Sequence, residues 1–199
     1  MRVIIASEMP ALPESLTLHH DEIVLRDWRE DDAPALEPVC GDVDVCRFTS
    51  VPWTYSPQEA RAWIRRIQRA RSTGTGLALA ITRAGQNQAL GNVNLVRFSE
   101  DGRQAALGYW LVPAAREQGL AVTAARMLSS WGFEQMALAR IELAILPDNT
   151  ASHHVALRLG ATREGVRPDS HEAAGRTWDM VIYALHGPPL PAERSAALS

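Results

Sequence analysis

The chain has 199 residues, a formal net charge of −3 and 46% hydrophobic residues, enough for one domain with a real core and without a global pull toward nucleic acid or an anionic membrane. Its two cysteines, Cys40 and Cys46, form no CxxC pair and stand near no histidine cluster, which argues against a zinc finger or a disulfide framework and fits reduced thiols. The apolar run at the N-terminus is too short for a signal peptide and no stretch reaches membrane-spanning length, so the chain reads as cytoplasmic.

Residues 1–17 carry two prolines and no period, and read as an extended leader. A single domain over 18–186 and a Pro-rich tail over 187–199 follow from the same reading. Glu22-Ile-Val-Leu-Arg26 reads as a strand, and Asp31 or Asp32 is placed to cap a short helix through Val39, with Pro34 in its first turn. Ser56-Pro-Gln-Glu59 combines an N-cap serine, a first-turn proline and a capping-box glutamate. Ala60, Trp63, Ile64, Ile67 and Ala70 then recur at helical spacing until Gly74.

Three apolar or alternating runs, 77–82, 91–98 and 104–112, are separated by Gly-containing turns and read as an antiparallel meander. A helix over Gly119–Met136, a strand over Ile141–Leu146, a short helix over Thr150–Leu159 stopped by Gly160, and a last strand near Trp178–Leu185 complete the order. This is an α+β chain: one central, mixed, mostly antiparallel twisted sheet with helices on both faces. The consecutive meander disfavours a doubly wound Rossmann sheet.

The turn Arg116-Glu-Gln-Gly-Leu-Ala121 joins an apolar strand to an amphipathic helix. Such a turn leaves backbone N–H groups pointing outward with the helix dipole behind them, a fit for a diphosphate, and Gly119 lets the backbone approach without a side-chain clash. By itself this is also what any helix start looks like.

Leu107-Gly-Tyr-Trp-Leu-Val-Pro113, then Arg116-x-x-Gly119-x-Ala121, Pro147-x-Asn149-x-x-Ser152 and Leu159-Gly-Ala-x-x-Glu164-Gly165 together resemble the GNAT superfamily of N-acetyltransferases, and more narrowly its RimJ/RimL-like branch. The resemblance implies acetyl-CoA as acyl donor, no metal, and a primary amine as acceptor, on a peptide N-terminus or a small molecule. It further implies that Arg116, Gln118, Gly119, Leu120 and Ala121 hold the CoA pyrophosphate, and that the strand end at Leu111 and Val112 splays to pair with pantetheine. Asn149 is implied as a pantetheine contact, with helix N-cap as the plain alternative. Ser152 is implied to lie near the sulfur. A homodimer is a further family expectation; nucleic acid and membrane are not expected partners.

Two departures matter. Ala156 stands where many family members carry the tyrosine acid, which leaves Ser152 as the local hydroxyl for the departing thiolate. Ala106 stands where this branch often has a carboxylate, which leaves His171 and Glu172, in an expected loop, as proton acceptors or simply as solvated polar surface. Glu117 replaces a common glycine beside the diphosphate turn, and His153 and His154 lack a third local ligand for a metal. Trp53 and Tyr55 are candidates for the acceptor pocket or for a packed loop. Competing functions are a non-catalytic acyl-CoA sensor, transfer of a larger acyl group, and a generic α/β binding protein.

Overall fold

A computed structural model describes residues 11–49, 51, 53–173 and 176–188. The strands are β1 (Leu18–His20), β2 (Ile23–Asp27), β3 (Gly76–Arg83), β4 (Gly91–Val96), β5 (Gln104–Leu111), β6 (Arg140–Ile145), β7 (Thr162–Ala173) and β8 (Arg176–His186). The α-helices are α1 (Val43–Phe48), α2 (Pro57–Ser72), α3 (Leu120–Gln135) and α4 (Thr150–Leu159). All eight strands form one sheet in the order β1-β2-β3-β4-β5-β6-β8-β7. Among them only β5 and β6 pair parallel, which is the mostly antiparallel mixed sheet expected.

Local chemistry accounts for most elements. Ser56 caps α2 by accepting from Glu59 N at 3.1 Å, and Gly160 ends α4 in a left-handed conformation (φ 82°). The two sheet faces follow from strand alternation. On one face Trp110 of β5 meets Trp28 and Trp63 at ring-centroid distances of 5.8 and 6.1 Å, under α2. On the other, Leu95, Leu107, Ile141 and Leu143 join the buried core with Leu128 of α3 and Ala156 of α4. Each large apolar side chain so buried contributes roughly 1.5–3 kcal/mol.

Three expectations are corrected. The helix after β2 is a 3-10 helix over Glu30–Leu36 with Arg29 as N-cap, not an α-helix capped by Asp31 or Asp32. Asp32 is buried instead, because the buried guanidinium of Arg26 takes it as a two-pronged partner at 2.7 and 2.8 Å. Next, α1 was not foreseen; its N-cap Asp42 accepts from Val45 N at 3.1 Å. Finally, residues 162–173 form strand β7 rather than a loop, so His171 and Glu172 sit on a sheet edge paired with Trp178 and Thr177.

Of the expected leader, residues 11–17 form no helix or strand, yet Leu12 and Leu16 pack against the core and Leu16 N–H donates to the Asp27 carboxylate. Residues 1–10 and 189–199, which include most of the expected tail, lie outside the described residues.

Candidate active site

The site begins with a gap in the sheet. Pairing between β5 and β6 covers only Gln104↔Arg140, Ala105↔Ile141 and Ala106↔Glu142. Beyond that last rung β5 continues to Leu111 and β6 to Ile145 without pairing to each other. Val112 N–H donates to Leu90 O at 2.9 Å. Antiparallel alternation then turns the polar backbone groups of Trp110 and Gly108 toward β4, and those of Leu107, Tyr109 and Leu111 into the cleft. The open edge therefore centres on Tyr109 and the Leu111 N–H, the Leu111 carbonyl being taken by Arg116, and Val112, expected to face the cofactor, has its N–H committed to the neighbouring strand.

The turn after β5 leads to the N-terminus of α3. Gly119 is the N-cap, in a left-handed conformation (φ 77°), and supplies no side-chain cap. The first helical bond from this end is Thr123 N to Gly119 O at 3.1 Å, so the N–H groups of Leu120, Ala121 and Val122 have no partner within the helix. A 16-residue helix with no acid in its first turn presents these donors with the positive end of its dipole. Glu117 also has a positive φ, 62°, which explains why glycine suits that position and marks Glu117 as strained.

Two side chains expected on the cofactor are tied within the protein. Arg116 forms an ion pair with Asp42 at 2.5 Å and donates from Nε and Nη2 to Leu111 O at 3.3 Å. Gln118 donates to Ala114 O at 2.9 Å and accepts from Arg83 at 2.7 Å. Both therefore brace the turn, leaving the main-chain amides as its anion-facing groups.

Across the gap, α4 starts beside the end of β6. Asn149 is its N-cap and accepts from Ser152 N at 3.0 Å, so the capping role holds in this structure. Ser152 lies in the first turn of α4, and its side chain interacts with the phenol of Tyr109 from β5. The Tyr109 hydroxyl is buried and makes no hydrogen bond of ordinary geometry. Burial pushes this phenol up to about 12, with Ser152 pulling the other way. His153 is fixed between Tyr183 Oη and Leu146 O, each at 3.1 Å. Because a carbonyl only accepts, Nε2 carries a hydrogen, and Nδ1 shares the second contact with the Tyr183 hydroxyl.

Between these two arms, β5 and β6, α1 meets the β7–β8 hairpin. Arg47 pairs with Asp148 at 3.2 Å and lies over the Trp178 ring at 3.9 Å. With Asp42 held by Arg116, α1 thus spans from the arm ending in β5 to the arm ending in β6. His171 donates from Nε2 to Arg47 O at 2.8 Å, so whenever the ring is neutral its lone pair is on Nδ1. The Glu172 side chain lies outside the described set.

Glu142 shares the last rung with Ala106, so a carboxylate stands beside the position where this branch often carries one. It is bound by Arg167 at 2.8 and 2.9 Å and by Arg140 at 3.0 Å. These bonds, Arg167's first, hold its carboxyl below the usual range, which makes it a poor base. Trp53 is 52% exposed between α1 and α2, and Tyr55 packs partly against the core. Among the described residues no group of three or more metal-ligating side chains gathers.

Tyr109, Asp42, Arg47 and Glu142 were missed as site residues. For Tyr109 a signal existed, since strand period alone sets it on the face opposite Trp110; the other three depend on which distant elements meet.

Residues 22–162 match the Acetyltransferase (GNAT) domain family. The uncharacterized N-acetyltransferase YoaA of Bacillus subtilis is 25% identical over 171 residues, 86% of this chain and 97% of that protein. Among solved structures, RimJ of Mycobacterium smegmatis, in complex with a CoA disulfide, superposes with a TM-score of 0.73 at 23% identity, covering 86% of this chain and 83% of that one. RimL, a ribosomal-protein α-N-acetyltransferase solved with coenzyme A, gives 0.74 at 21% identity, covering 90% and 97%. The open β5 edge and the uncapped α3 terminus fit that cofactor, and the chain belongs to the GNAT acetyltransferase family, an acetyl-CoA-dependent acetyltransferase with RimJ and RimL among its fold neighbours.

Proposed function

We propose that the chain moves an acetyl group from acetyl-CoA to a primary amine, with a peptide N-terminus as the preferred acceptor, by direct attack of the amine on the thioester. The observation that carries this reading is the meeting, at one gap in the sheet, of a free strand edge, an uncapped helix N-terminus and the Ser152 hydroxyl. The main-chain donors of Leu120, Ala121 and Val122 take the diphosphate. Tyr109 and Leu111 pair with the pantetheine amides as a strand would, and one of these N–H groups polarises the thioester carbonyl.

Direct attack is favoured over a cysteinyl intermediate. Burial pushes the Cys40 thiol up to about 11 and raises that of Cys46, so neither is a thiolate near neutrality. The amine nitrogen forms the new C–N bond while its proton passes to the lone pair on His171 Nδ1, directly or through water. As the C–S bond breaks, its electron pair leaves with sulfur, which is protonated from Ser152. The name of the RimL neighbour, a ribosomal L7/L12 α-N-protein acetyltransferase, favours a peptide N-terminus as acceptor.

The test is thiol release from acetyl-CoA with a panel of peptides, polyamines and aminoglycosides, followed by mass mapping of the product. Acetylation at peptide α-amines is expected. Turnover confined to small-molecule amines would reassign the acceptor, and no acceptor-dependent thiol release across the panel would remove the reading.

A further inference from the structure

The reaction needs a proton at sulfur, and α4 has no phenol to give one: Ala156, one turn beyond Ser152, is fully buried. A serine hydroxyl is a weak acid and needs a source behind it. The strand opposite supplies a candidate. Tyr109 lies at the middle of the open edge of β5, its side chain on the α3 and α4 face, and its hydroxyl is buried beside Ser152 without a hydrogen bond of ordinary geometry. A buried hydroxyl left in that state is destabilising, and a bound sulfur and an aligned Ser152 would satisfy it.

We propose that Tyr109 is the positioning residue and proton source behind Ser152, so that a phenol on β5 does the work of the tyrosine missing from α4. This rests on the acetyl-transfer reading of the cleft. As the C–S bond breaks and sulfur takes the bonding pair, Ser152 Oγ gives its proton to sulfur and receives one from Tyr109 Oη. The phenolate recovers a proton from solvent once the free thiol has left. The proton lost by the attacking amine goes to His171 or water, so the sum is amine plus thioester to amide plus thiol. Burial keeps this phenol protonated between turnovers, while its interaction with Ser152 pulls it the other way, toward release.

The test uses the full chain with Tyr109→Phe, Ser152→Ala and the double variant. Tyr109→Phe is expected to lower kcat about tenfold or more with the KM for acetyl-CoA changed less than about twofold. The double variant should be no slower than the slower single one, because both hydroxyls serve one proton transfer. The melting temperature of Tyr109→Phe should hold or rise, since an unpaired buried hydroxyl is removed. A second readout needs no turnover: calorimetry of free CoA as a function of pH. Donors at the sulfur favour the thiolate, so wild-type affinity should rise several-fold as pH climbs toward the thiol's range, about 8.5, and Tyr109→Phe should lose that rise.

Wild-type turnover with kcat and the pH profile unmoved in Tyr109→Phe, or additive losses in the double variant, would overturn the proposal and leave the acetyl-transfer reading standing. A wild type that transfers to no amine yet shows the Tyr109-dependent rise removes that reading and keeps Tyr109 at the sulfur. Absence of both removes the two together.

Discussion

Arg116 and Asp42 join the turn that precedes α3 to the start of α1: one guanidinium nitrogen lies 2.5 Å from the carboxylate that caps α1. The other end of α1 is tied through Arg47 to Asp148, next to the N-cap of α4. A short helix is thereby pinned to both arms of the splay.

Asp42→Asn keeps a good N-cap but removes the charge facing Arg116. The KM for the amine should rise several-fold, about 1 kcal/mol of lost positioning, while that for acetyl-CoA changes less. Steady-state kinetics varying each substrate separately checks this; a larger shift for acetyl-CoA would place the pair's main effect on the cofactor side.

Glu117→Gly relieves a left-handed side-chain-bearing residue and withdraws an acid from the diphosphate turn. Relief of that strain, about 1 kcal/mol, is common to the free and bound protein and cancels in binding, so the gain comes from withdrawing the acid: acetyl-CoA should bind several-fold more tightly by calorimetry, and less so as salt rises. Stability should move little, because glycine also loosens the unfolded chain.

Ser152→Ala should lower turnover roughly tenfold to a hundredfold and leave acetyl-CoA affinity within about threefold. The loss should be smaller with an acyl donor whose thiol is more acidic. Equal losses in kcat and affinity would assign Ser152 to binding.

Glu142 offers a test by pH. Its carboxyl is held below its unfolded value, first by Arg167 and then by Arg140, so its contribution is present above about pH 4.5 and is lost as pH falls through the lowered folded value. Thermal melts of Glu142→Gln against wild type should therefore differ most near neutrality and converge as pH drops below about 4. A constant difference at all pH values would show that the loss is packing rather than charge.

The legible parts of the chain were those with local chemistry. The Ser56-Pro-Gln-Glu59 start, the three meander runs and the stop at Gly160 each depend on neighbours in sequence, and each stands where expected. By contrast α1 is six residues long and buries Val45 and Cys46 without a repeating face. Strand β7 is an edge strand with polar, largely exposed residues and register shifts between Arg163 and Gly165 and between Arg167 and His171, so it lacks the alternation that marks a half-buried strand. The turn at Arg116–Ala121 was legible as an anion site from its main chain, but the partner of Arg116 was not, since Asp42 is 74 positions away.

Three residue pairs are all that stitch β5 to β6, so across its middle the sheet is held by those rungs and by what straddles it. Pantetheine laid along Tyr109 and Leu111, as proposed above, would act as a removable strand that completes the sheet. Bound ligand at a hundred times its dissociation constant stabilises a fold by about 2.7 kcal/mol. The lifetime of this protein against unfolding and proteolysis should therefore follow the supply of its own cofactor.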